Sequence, residues 1–203
     1  EGAVDDSTAK PGPLVDAKHP PVYPCLPVVT SLAYSPDGSM LAVTGWHEVF
    51  LYPVQDQVGP PLARLVGLSP RIESLCFSPD GTQIAIAGIG AVTNVDGFVG
   101  PIRVEVWDWQ SGKKLFTAED KHNAVLNQVS FHPTRPLLIA AGGGDSGGIL
   151  AFWESGEGKL TCKAKPKGHL QRLHVDARSD RLFATGHGGF QIWSLDGLSP
   201  AAD

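Results

Sequence analysis

A short turn flanked by apolar strands occurs twice in nearly the same letters, and its recurrence limits what this chain can become. Ser78-Pro79-Asp80-Gly81 follows the alternating Ile72–Phe77 and precedes the apolar Gln83–Ala87, and Tyr34-Ser35-Pro36-Asp37-Gly38 repeats it upstream. Pro presets φ for the second turn position, Asp offers a local acceptor and Gly lets the chain leave, so each copy reads as a hairpin. Phe131-His132-Pro133-Thr134 is a looser copy, and Val175-Asp176-Ala177-Arg178 is a weaker fourth. The residue before each turn falls at 34, 77, 131 and 175, so the spacings are 43, 54 and 44.

Each unit carries a third apolar stretch that ends on an aromatic residue: Phe50-Leu51-Tyr52, Glu105-Val106-Trp107, Ala151-Phe152-Trp153 and Gln191-Ile192-Trp193. An alternating fourth stretch follows, as in Lys113–Ala118. A period in the forties with four strands per unit is the signature of a β-propeller blade. The expected fold class is all-β, built of four-stranded antiparallel blades. The 24 Gly and 17 Pro and the absence of any long helical period agree with many short strands and tight turns.

On these residues the chain resembles the WD-repeat β-propeller family over about residues 14–197. The likeness is strongest at Trp107-Asp108; elsewhere the pair becomes Tyr52-Pro53, Trp153-Glu154 and Trp193-Ser194. The family's strand order implies blades at about 29–66, 72–118, 126–164 and 171–195, four WD-like repeats making half of an eight-bladed ring or a small ring. It also implies that the fourth blade, ending at Asp196-Gly197-Leu198-Ser199-Pro200 without an outer strand, is completed by the spare strand Leu14–Lys18. Of the family's hydrogen-bond tetrad only Gly168-His169, Thr185 and Trp193 have counterparts. VTSLAYSPDGSMLAV, GWHEV and RLVGLSPRIESLCFSPDG resemble more narrowly the propellers of bacterial exported proteins that are often coupled to c-type cytochrome domains. That likeness implies a periplasmic or secreted location, with a cytoplasmic one as the alternative, and a cytochrome-containing partner.

The length of 203 residues fits one domain, with a flexible arm over 1–12 and a short tail at 201–203. A net charge of −5 provides no electrostatic footprint for nucleic acid or anionic lipid. No apolar run is long enough to span a bilayer, and no leader pattern is present. Beginning at Glu1 rather than Met, the chain is expected to be a processed protein or an excised piece. Cys25, Cys76 and Cys162 form neither a CxxCH haem attachment nor a zinc pattern; the residues leave a Cys25–Cys162 bridge open. No cofactor is expected.

Gly144-Asp145-Ser146-Gly147-Gly148 spells the nucleophile loop of chymotrypsin-like proteases, but it falls where the repeat demands a turn between second and third strands. The seven histidines show no metal-ligand spacing, although His47 and His187 occupy equivalent connections. The excess length of the second unit lies in residues 88–101, where Val92, Asn94, Val95, Asp96, Phe98 and Val99 form an insertion. In the family this connection lies on the face that commonly receives partners, and Trp46 holds the equivalent place in the first unit. Apolar loop residues and Trp are frequent at interfaces. The expected function is a non-enzymatic scaffold that binds a protein partner or a second copy of itself. Two alternatives are an exported redox accessory and, more remotely, a propeller hydrolase drawing on Ser31, Glu73, Asn127, Gln128 and His174 of the inner strands.

Overall fold

The turn chemistry is realised atom by atom in the computed structural model, which describes residues 28–57, 59–90, 100–196 and 199–200. Ser35 Oγ donates to Asp37 Oδ1 at 2.5 Å, Ser39 N donates to the same oxygen at 3.1 Å, and Met40 N donates to Ser35 Oγ at 2.9 Å. Ser78, Asp80, Thr82 and Gln83 reproduce this arrangement at 2.5, 3.0 and 2.9 Å. The serine hydroxyl, followed by the Ser39 amide, draws the Asp37 carboxyl down to about 2. Gly38 and Gly81, at φ 73° and 74°, take the left-handed turn position at which a Cβ would be strained. In the third unit His132 Nδ1 replaces the oxygen acceptor, receiving Thr134 N at 3.2 Å and Arg135 N at 3.0 Å.

Four units of strands follow from these turns. Blade one comprises β1 (Ser31–Tyr34), β2 (Met40–Gly45), β3 (Glu48–Pro53) and β4 (Ala63–Val66). Blade two comprises β5 (Arg71–Phe77), β6 (Gln83–Ile89), β7 (Gly100–Asp108) and the first half of β8 (Lys113–Phe131). The second half of β8, with β9 (Leu137–Gly144), β10 (Gly147–Glu154) and β11 (Leu160–Ala164), forms blade three. Blade four comprises β12 (Leu170–Asp176), β13 (Arg181–Gly186), β14 (Gly189–Ser194) and β15 (Ser199–Pro200). All pairings are antiparallel, and the described residues form an all-β, WD-type propeller architecture.

Two features depart from the sequence expectation. The outer strand of blade two and the inner strand of blade three form one 19-residue strand, β8, so both blades belong to one seven-stranded sheet. The outer edge of blade four, expected to lack a strand of its own, carries β15, whose Ser199 and Pro200 pair with Ser194 and Trp193. Ser194 Oγ accepts Asp196 N at 3.2 Å, which turns the chain back onto this edge. The strand Leu14–Lys18, Cys25 and the insertion at 91–99 lie outside the described residues. Cys76 and Cys162 are free thiols, so Cys162 forms no bridge.

The core is a series of blade-to-blade contacts, because alternate strand residues point to opposite faces. Ala42, Val49 and Leu51 of blade one pack on Ile84, Ile86 and Trp107 of blade two. Ala85, Val104 and Val106 of blade two meet Leu138, Ala140 and Trp153 of blade three. Ile139, Leu150 and Phe152 of blade three meet Leu182, Ala184 and Trp193 of blade four. The third-strand Trp thus always faces the preceding blade. Polar side chains on the inner strands carry the contact to the axis: Thr30 Oγ1 donates to Ile72 O at 2.6 Å, Ser74 Oγ accepts Val129 N at 3.1 Å, and Asn127 Nδ2 donates to Leu170 O at 2.8 Å.

Candidate partner-binding face

Antiparallel order brings the links between second and third strands, and those between successive blades, to the same end of the array. Backbone hydrogen bonds hold the links together there. Gly67 N donates to His47 O at 2.8 Å, Ile72 N donates to Trp46 O, and His187 N donates to His169 O at 2.9 Å. Glu105, buried in β7, extends this frame by accepting Leu68 N at 2.8 Å. Burial raises its carboxyl, while the Leu68 amide, Lys114 and the Ser69 amide oppose that rise.

Trp46 is an exposed aromatic group of this face, at 54%. It occupies the first central position of a two-residue hairpin closed by Gly45 and Glu48, with φ at 53°. Turns of this kind place φ above zero at that position and are usually served by Gly, because an L side chain there crowds the following carbonyl. Retaining a bulky aromatic residue in that conformation costs on the order of 1 kcal/mol, and such strain gathers at functional sites. Leu68, 51% exposed in the adjoining blade link, is a further apolar group of this face and was not marked by the repeat.

The other sequence candidates separate. His47 is buried, its carbonyl serving the Gly67 link, so it supports the turn rather than the surface. His187 is exposed and stacks on His169, with ring centroids 5.3 Å apart. His169 Nε2 hydrogen-bonds Gly144 O at 2.9 Å, and Trp193 Nε1 is buried without a partner. The tetrad counterparts are therefore not joined to one another. The remaining candidates, Val92, Asn94, Val95, Asp96, Phe98 and Val99, fall outside the described residues, in the link that joins β6 to β7 as Trp46-His47 joins β2 to β3.

Ser146 shares a hollow of about 310 Å³ with Asp120, His122 and Lys163. The groups are not wired for nucleophilic chemistry. His122 Nε2 is buried without a hydrogen-bond partner, and Asp120 Oδ1 binds the backbone N of His122 at 3.0 Å and Lys163 Nζ at 2.7 Å. A triad needs the acid on the imidazole and the imidazole on the hydroxyl. The axial concavity, about 520 Å³, is lined by inner-strand residues of all four blades, and Glu73 is the one carboxylate among its described lining residues. Asn127 and Gln128 are engaged with blade four, and burial pushes the Cys76 thiol up to about 12, which keeps it protonated. Among the described residues no three His, Cys, Asp or Glu side chains converge as a metal site.

The family described as "WD domain, G-beta repeat" matches residues 25–52. The chain is similar to "Target of rapamycin complex subunit LST8" of Mus musculus, at 24% identity over 171 residues, covering 83% of this chain and 48% of the relative. The proteins of the same description from Rattus norvegicus and Bos taurus are 25% and 22% identical over the same length. This chain spans about half the length of the curated relatives it matches. With one repeat matched directly and three more of the same strand order and core positions beside it, the chain is a WD-repeat protein.

Proposed function

We propose that the chain is a non-catalytic interaction scaffold that captures a protein partner on the face bearing Trp46. The observation that carries this reading is the exposed indole held at φ 53° on a turn fixed by backbone hydrogen bonds from the next blade link. A rigid aromatic anchor loses little entropy on binding, which makes Trp a frequent interface hot spot. Leu68 and His187 extend the same face, and the segment that carries Phe98 connects β6 to β7 as Trp46-His47 connects β2 to β3. The similarity to subunits of the target of rapamycin complex supports a role within a larger assembly.

The test is quantitative capture from native extract with the wild-type chain and with Trp46→Ala and Phe98→Ala. Partner yield is expected to fall about tenfold or more for an anchor of hot-spot strength, while the thermal transition stays nearly unchanged. Equal loss of capture and stability in both variants would assign these residues to the core and end the proposal.

A further inference from the structure

The Gly144–Gly148 turn has no part in the scaffold reading, yet its Ser146 forms one wall of the hollow of about 310 Å³ described above. Residues 120–123 of β8, where the chain passes from blade two to blade three, form a second wall, and Lys163 of β11 forms a third. All three walls belong to the seven-stranded sheet in the middle of the array. What precedes blade one or follows blade four does not alter them.

Positive and donor groups gather here although the chain as a whole carries −5. Lys121 and Lys163 line the hollow, and a Cβ on Gly147 of the adjoining turn would touch the Lys165 side chain at 3.6 Å. Asp120 is the one carboxylate among the lining residues, and its Oδ1 already accepts Lys163 Nζ at 2.7 Å and His122 N at 3.0 Å. That bond holds the Lys163 ammonium at the hollow and leaves two of its three N–H groups for a ligand. Ser146 exposes a hydroxyl at the tip of its hairpin, and Asn123 an amide beside it. His122 Nε2 is buried without a hydrogen-bond partner, an unmet polar group that an acceptor oxygen entering the hollow would satisfy in the Nε2–H form.

We propose that this hollow binds a phosphate monoester, carried by a phosphorylated side chain of the protein partner. Its donors line one space from three separate chain segments, which suits the several acceptor oxygens of a tetrahedral group better than the two of a carboxylate. Lysine serves such a group as a point charge. The volume lies at the small end of ligand cavities, fitting one modified side chain rather than an extended cofactor. The β9–β10 hairpin is the counterpart of the hairpin that carries Trp46, so the hollow opens at the same end of the array. Presentation of the phosphate by a partner rests on the scaffold reading; the affinity of the hollow for phosphate does not.

The test is an NMR titration of the full isotope-labelled chain with inorganic phosphate at neutral pH and low salt. Saturable shifts of the Ser146 and Gly147 amides and of the His122 ring are expected, with acetate about tenfold weaker or more. Lys121→Ala and Lys163→Gln should each weaken phosphate about fivefold or more, and far-UV circular dichroism checks that both variants remain folded. A glycine-flanked phosphoserine peptide should bind at least as tightly as inorganic phosphate, and its unphosphorylated form should not bind. Trp46→Ala, which removes the anchor of the scaffold reading, should leave phosphate affinity unchanged, so that failure of either reading is seen separately. No saturable shift, acetate equal to phosphate, or an affinity indifferent to both lysines would overturn the site. Exclusion of the phosphoserine peptide by a chain that binds inorganic phosphate would overturn the partner as its source.

Discussion

Gln128 of blade three and Leu173 of blade four exchange two hydrogen bonds, the amide Nε2 donating to Leu173 O at 2.9 Å and Leu173 N donating to Oε1 at 2.8 Å. The side chain acts as a short piece of strand against the inner edge of β12, whose other edge pairs with β13. Gln128→Leu removes both partners and leaves an amide and a carbonyl unsatisfied, a loss of about 2 kcal/mol or more. The urea midpoint should fall accordingly with the slope unchanged. Gln128→Glu, which keeps an acceptor for the Leu173 amide and loses the donor, should fall between this variant and wild type.

His132 makes stability depend on pH. Its neutral ring accepts two backbone amides through Nδ1, and its Nε2 lies 3.8 Å from Asp180 Oδ1. Burial, followed by Arg135, lowers its pKa, and Asp180 opposes that shift only in part. A folded pKa below the unfolded one means that the contribution is complete above about pH 6.5 and fades as pH falls through the lowered value. Thermal transitions between pH 7.5 and 5 should show this decline in the wild-type chain. His132→Asn retains an acceptor without the titration and should flatten that part of the profile.

The left-handed turn at Trp46 discriminates among replacements by backbone preference. Trp46→Asn, a residue that tolerates positive φ, should leave the unfolding midpoint close to wild type. Trp46→Val forces a β-branched residue into the same conformation and should cost about 1–2 kcal/mol more than Asn. Equal midpoints for the two variants would show that the turn relaxes.

Ser146 should remain unlabelled by a fluorophosphonate probe at neutral pH, because Asp120 is bonded to the backbone N of His122 and to Lys163 rather than to an imidazole. Stoichiometric labelling at Ser146 would identify a nucleophile and contradict the non-catalytic reading.

The parts of this fold that could be read from the sequence are those decided locally. Ser35, Asp37 and their copies close turns within five residues, and the aromatic ends of the third strands follow directly from the repeat. Glu119-Asp120-Lys121-His122-Asn123, by contrast, has the polar composition of a loop. The partners opposite it, Ile102↔Asp120, Pro101↔Asn123 and Gly100↔Ala124, keep it extended within β8. Long-range pairing here overrides local preference. The burial of His47 and the link from His169 to Gly144 depend on neighbouring blades, so nothing in their own segments announces them.

The unbroken run of β8 has a kinetic meaning. Where blades are joined by a free link, each can open while its neighbour keeps its ladder; blades two and three share one backbone and cannot separate without breaking it. Amide exchange in β5 to β11 is therefore expected to proceed through a single concerted opening, with blades one and four releasing their protons earlier and independently. A pulling force applied across the chain should register that shared spine as one large rupture rather than two.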